Sequence, residues 1–244
     1  MLPSITASFP CSILLRESRR SMVLRVIAGD FRRRHLKTPP GIGTRPYTDR
    51  VRQMVFDRLV DEIEGARVAD VFSGVGTMGL EALSRGADSC VFFEADAEVV
   101  EYLRLNVATI APETRTICWR TDVRRTSFRP NGGSDCLPYT LIFFDPPYAQ
   151  VSQLREGEPL AGSLKRLCRA DISSPDASLI LRTPERTDFV AVGGWEVAER
   201  WDISTMIIWK LKKCLTDSSE PLEPGDQNEC GEDGADEAGA ESGE

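Results

Sequence analysis

From residue 66 onward, strand-like and helix-like stretches alternate without a break, and this constrains the fold more than any other feature. "RVADVF" (67–72) reads as a strand, "SGVGTMG" (73–79) as a glycine turn and "LEALSRG" (80–86) as a short helix ended by Gly86. "SCVFFEA" (89–95) is a second strand. "AEVVEYLRLNVATI" (97–110) is a helix with Val99, Val100, Leu103 and Val107 inward. "TRTICWRTD" (114–122) and "TLIFFD" (140–145) are the third and fourth strands, with "RPNGGSDCLP" (129–138) as a surface loop between them. "LKRLCRA" (164–170) reads as helix and "ASLILRT" (177–183) as a fifth strand. Gly193-Gly194 turns the chain into a closing pair of strands, "WEVAERWDI" (195–203) and "TMIIWKLKK" (205–213). Strands alternating with helices require a mostly parallel sheet covered on both faces, an α/β fold.

Ahead of this domain, "VLRVIAG" (23–29) alternates as a short strand and "FRRRHLKTPPGIGTRP" (31–46) reads as an extended basic loop. Thr48 can cap a helix whose apolar stripe is Val51, Met54, Val55 and Leu59, leaving Arg50 and Arg52 off the stripe and available. Between Leu24 and Leu59 nine Lys or Arg face three Asp, a bias that favours a polyanionic partner. The candidate contacts are Arg32, Arg33, Arg34, Lys37, Arg45, Arg50 and Arg52.

The net charge of -8 conceals this basic character. Residues 216–244 hold eleven Asp or Glu and no Lys or Arg, so without them the balance becomes +3. That stretch is Gly- and Ser-rich, buries too little to fold, and is expected to be a disordered tail. The predicted organisation is therefore a flexible extension over 1–23, a basic segment over 24–64 packed on the main domain, the domain itself over 65–214, and the tail over 215–244. The first 21 residues are Ser- and Arg-rich, but Ile13-Leu14-Leu15 is too short for a secretory core. Seven cysteines, an odd number without a C-x-x-C, and a single histidine point away from a disulfide framework and from a metal site. No apolar run approaches the roughly 20 residues of a membrane helix, and a cytoplasmic protein is expected.

Two motifs carry chemistry. Gly74-x-Gly76-x-x-Gly79 lies between a strand and a helix, and Glu94 ends the next strand, placed to accept ribose hydroxyls. With Asp70, Ser73 and Asp122 these are the candidate cofactor residues, and a nucleoside cofactor is implied, with NAD still open. Asp122 could meet an adenine amine or simply cap a loop. The second motif is Asp145-Pro146-Pro147-Tyr148 at the end of the fourth strand. Two prolines cannot continue a ladder, so they hold a rigid extended turn. The Asp145 carboxylate and the Pro146 carbonyl can accept both hydrogens of an exocyclic amine, and Tyr148 can stack on the base. That arrangement suits amine methylation by positioning and charge stabilisation.

"RVIAGDFRRRHLKTP", "TRPYTDRVRQMVFDRL", "DVFSGVGTMGLEALSRGA" and "IFFDPPY", in this order, resemble the bacterial RsmD family, 16S ribosomal RNA guanine-N2 methyltransferases. The resemblance runs from about Leu24 to Lys213. It implies a class I, Rossmann-like methyltransferase with a seven-stranded sheet and an antiparallel closing strand. It also implies S-adenosylmethionine as cofactor and 16S rRNA, within the small ribosomal subunit or an assembly intermediate, as partner. Carried onto this chain, Gly74, Gly76 and Glu94 would hold the cofactor, and Asp145 to Tyr148 the guanine amine. The Arg45–Arg52 segment would lie near the site. Tyr47 stands where the family usually has threonine, and Ser73 and Val75 replace its commoner alanine and serine. DNA adenine-N6 methylation and a non-catalytic RNA-binding assembly role are the alternatives; the intact Asp145 and glycine turn argue against the latter.

Overall fold

The computed structural model describes residues 24–40 and 47–214. Seven strands form one sheet: β1 (Arg67–Val71), β2 (Ser89–Glu94), β3 (Arg115–Arg120), β4 (Tyr139–Phe144), β5 (Ser173–Pro184), β6 (Trp195–Ile203) and β7 (Met206–Lys213). Their order is β3-β2-β1-β4-β5-β7-β6. The first five are parallel, and β7 runs antiparallel to both β5 and β6. Among the described residues five α-helices accompany them: α1 (Asp49–Arg58), α2 (Val60–Ile63), α3 (Thr77–Ser84), α4 (Ala97–Ile110) and α5 (Pro159–Leu167).

The sheet separates two apolar cores. Successive residues point to opposite faces, so Phe92 and Phe143 join α1, α3 and α4 in one core, while Phe93 and Phe144 join α5 in the other. Burying each of these rings stabilises the fold by about 1.5–3 kcal/mol.

Element ends differ from the sequence pattern for local reasons. α3 starts at Thr77, three residues before the predicted Leu80, because Gly76 takes a left-handed φ of 91° and the Asp70 carboxylate accepts from Gly79 N–H at 2.8 Å. α5 starts at Pro159, where the missing N–H of proline costs nothing in the first turn. The Thr48 cap is present, its hydroxyl accepting from Val51 N–H at 3.3 Å.

The strand expected over 23–29 does not form where residues are described. It reduces to a single antiparallel bridge between Arg25 and His35. Ile27 and Ala28 donate their N–H groups to the Glu81 carboxylate instead of to another strand, at 2.7 and 3.0 Å. Gly29 then turns the chain with φ 75°, pressed so closely on Ser84 that a Cβ would lie 1.6 Å from its carbonyl oxygen. Glu81 is thus the anchor of this segment. Arg85 Nε donates to it at 2.8 Å and Arg52 Nε lies 3.9 Å away, with the Arg52 and Glu81 side chains wholly enclosed.

Removing one member of an enclosed ion pair strands the other, at a cost of about 3–5 kcal/mol. Glu81→Ala is therefore expected to lower the denaturant midpoint of unfolding steeply, and to speed amide exchange at Ile27 and Ala28. A midpoint equal to wild type would show that Glu81 is not the anchor.

Candidate active site

The strand order reverses between β1 and β4, and the crevice at the carboxyl ends of such strands is where open α/β sheets bind ligands. The glycine turn forms its floor. A Cβ on Gly74 would meet nothing, so this face of the turn lies open to a ligand. Gly79 serves differently. A Cβ there would strike the Phe92 ring at 2.3 Å and Cys90 Sγ at 2.6 Å, so this glycine lets α3 lie flat on β2.

Each candidate cofactor residue has a definite place. Asp70 is enclosed beneath the turn and fixes the start of α3 through Gly79. Burial, with the Asp145 and Glu94 carboxylates nearby, pushes its carboxyl up to about 7. Ser73 Oγ is buried without a hydrogen-bond partner among the described residues. Glu94 is held by three backbone N–H groups, those of Gly74 at 3.0 Å, Ala95 at 2.8 Å and Asp96 at 2.9 Å. Asp122 is clasped through both oxygens by Arg124, at 3.0 and 2.8 Å. An open cradle at Gly74, an orphaned hydroxyl and a fixed carboxylate at the next strand end fit the nucleoside part of S-adenosylmethionine.

Opposite lies the proline turn. Asp145 N–H donates to Val71 O at 3.2 Å, joining the ends of β4 and β1. Pro147 is extended, with φ -51° and ψ 137°, and Tyr148 opens a 3-10 helix (Tyr148–Leu154) with its side chain exposed. Arg182 Nε donates to Asp145 Oδ1 at 2.6 Å, the two side chains being 8% and 18% exposed. The Arg182 guanidinium lies 4.7 Å from the Tyr47 ring and 5.3 Å from the Tyr148 ring. Burial lifts the Asp145 carboxyl to about 6, and Arg182 opposes the rise. Burial first, and then Asp145, raise the buried Tyr47 phenol well above its ordinary range.

Arg182 and the packing of Tyr47 were not singled out from sequence. The available signal was an arginine inside the apolar run "LILRT", since a charge there must find a partner. Asn106, buried in α4, was also missed. It accepts from Lys37 N–H at 2.8 Å and donates to Lys37 O at 3.0 Å and Val75 O at 3.1 Å, joining the basic segment to the glycine turn.

Of the candidate polyanion contacts, Arg32, Arg33, Arg34, Lys37 and Arg50 are exposed. Arg34 also reaches Ile110 O. Arg45 lies outside the described residues, as do the predicted N-terminal extension and the acidic tail. Arg52 is a correction: it is fully buried, donating to Arg25 O at 2.6 Å and Asp49 Oδ1 at 3.0 Å beside Glu81. Lying off the apolar stripe did not leave it in solvent, because the 24–29 segment covers that side of α1. No cluster of His, Cys, Asp or Glu suited to a metal occurs among the described residues. No helix among them is long and apolar enough to cross a membrane.

Comparison with known proteins agrees with this fold. The Bacillus subtilis protein YlbH is 34% identical over 131 residues, 52% of this chain and 68% of its own length. Ribosomal RNA small subunit methyltransferase D of Escherichia coli K12 is 38% identical over 126 residues, 51% of this chain and 60% of its own length. The solved Escherichia coli protein yhhF superposes with a TM-score of 0.63 at 26% identity, covering 78% of this chain and 97% of that one. The family model described as conserved hypothetical protein 95 matches residues 24–209, and the chain belongs to that family, the RsmD type of rRNA methyltransferase.

Proposed function

We propose that this protein transfers a methyl group from S-adenosylmethionine to the exocyclic N2 amine of a guanine in 16S rRNA. The observation that carries this reading is the Asp145–Tyr148 turn, tied by the Asp145 N–H to the end of β1. It stands across the switch point from the open face of Gly74. The rRNA substrate is supported by the names of the relatives and by the exposed cations of residues 32–37.

Bound at the glycine turn, S-adenosylmethionine supplies a methyl group activated by a sulfonium. The protein's part is to hold the amine. A guanine amine is a weak nucleophile because its lone pair is delocalised into the ring. The Asp145 carboxylate and the Pro146 carbonyl accept its two hydrogens and so favour a pyramidal nitrogen with its lone pair free. The carboxylate also stabilises the positive charge that develops on nitrogen, an interaction that strengthens toward the transition state. Tyr148 stacks on the base. Mass mapping of methylated guanosine in rRNA from cells with and without the gene tests the reading, and loss of no guanine methyl group would refute it.

Further outcomes are expected. Glu94→Ala removes a charged acceptor and the brace on Gly74, so S-adenosylmethionine affinity by calorimetry should fall roughly ten- to a hundred-fold, about 1.5–3 kcal/mol. Asp145→Ala should lower kcat by about 10²–10³-fold with cofactor affinity retained. Tyr148→Ala should act mainly on KM for RNA, and Tyr148→Phe should be mild because the ring remains. Near-normal kcat in Asp145→Ala would dismiss its assigned role. Replacing Arg32, Arg33 and Arg34 together should flatten the salt dependence of RNA binding, each lost phosphate contact removing up to about 0.7–0.9 from the log–log slope. A slope equal to wild type would make the cluster a merely solvated face.

A further inference from the structure

We propose that Arg182 is the positioning residue for Asp145: packed on the Tyr47 and Tyr148 rings, its guanidinium orients the aspartate carboxylate and keeps it a hydrogen-bond acceptor. The inference rests on the reading of Asp145 as the amine-holding group. Its basis is geometric. Phe144 pairs with Leu181 in the parallel β4–β5 register, so Asp145, just past the end of β4, lies beside Arg182, which continues in β5. The 2.6 Å bond from Nε commits Oδ1. Oδ2 accepts no hydrogen bond among the described residues and is the oxygen that can serve a substrate amine. Two aromatic rings, with centres 4.7 and 5.3 Å away, pack on the planar guanidinium, which a flexible ammonium would not exploit equally.

The surroundings make the arginine necessary. Among the described residues, the groups facing Asp145 are Tyr47 from the amino-terminal segment, Asp70 from β1, Tyr148 from its own turn and Arg182 from β5. Among these Arg182 alone supplies positive charge. Without it, Asp145 would sit partly enclosed with a second carboxyl nearby and would take up a proton. A protonated carboxyl presents an O–H donor, which meets the N–H of an amine donor to donor. It also no longer offsets positive charge on the nitrogen. Activity that needs ionised Asp145 is present above its pKa and is lost as pH falls through it. Losing Arg182 moves that loss to higher pH. The Tyr47 found where the family usually has threonine supplies one of the two rings that pack on Arg182.

The test compares wild type, Arg182→Gln and Arg182→Lys. Carboxyl-carbon NMR follows the titration of Asp145 directly, and steady-state kinetics on small-subunit particles follows kcat and KM against pH. In Arg182→Gln the Asp145 titration and the acid limb of kcat should both move up by about 1–3 pH units. With such a shift kcat near pH 7 falls by about twofold at one unit and by up to about a hundredfold at three, KM for RNA changes less, and cofactor affinity by calorimetry is unchanged. Arg182→Lys should restore most of the titration but only part of kcat, and it decides the matter if the glutamine variant does not fold. An unmoved Asp145 titration or an unmoved acid limb, in protein that still binds cofactor, overturns the positioning role alone. A wild-type protein that methylates no guanine brings down the reading of the site, and the positioning role with it.

Discussion

The enclosed Glu81 carboxylate is the contact on which the arrangement of the site depends. A buried anion is tolerated only when donors surround it. Glu81 finds them in the backbone of Ile27 and Ala28 and in Arg85, with Arg52 close by. These groups come from α1, the end of α3 and the chain before α1, so satisfying one charge brings three parts of the sequence together. Tyr47 immediately precedes the capped start of α1, and its ring lies against Arg182. A polar requirement on one side of α3 thus bears on what stands over the proline turn.

Two further carboxylates follow the same logic with different donors. Asp70 is held by the first turn of α3, and its pKa is raised because one backbone N–H does not offset full burial. Asp145 is held by a guanidinium, and its pKa rises less. Glu94, nearer to water, is gripped by three N–H groups. The strand ends therefore carry several acidic groups in one crevice, each fixed by a partner from another element.

The sheet and both motifs were legible in the sequence because they are local. The alternation of periods, the glycine turn and the Pro-Pro break each need fewer than about twenty residues to be seen. What escaped notice was long-range pairing. Arg182 and Asp145 are 37 residues apart, Glu81 and Ile27 54, and Asn106 and Lys37 69. Periodicity sends a charged residue off the apolar stripe to solvent, which is why Arg52 was misjudged. It has no means of seeing that residues 24–29 would close over it. The strand expected at 23–29 failed for the complementary reason: its pattern was adequate, but its donors were claimed by Glu81.

Asn106 shows how narrow the chemical tolerance at such a junction is. Its oxygen faces an N–H, and its amide nitrogen faces two carbonyls. The amide is therefore directional, and rotating it by half a turn would set donor against donor and acceptor against acceptor. An aspartate of nearly identical shape would aim an anion at two carbonyl dipoles. A leucine of similar bulk would leave one N–H and two carbonyl bonds unmade. Size alone does not define the residue at this position; the polarity of each end of the side chain does.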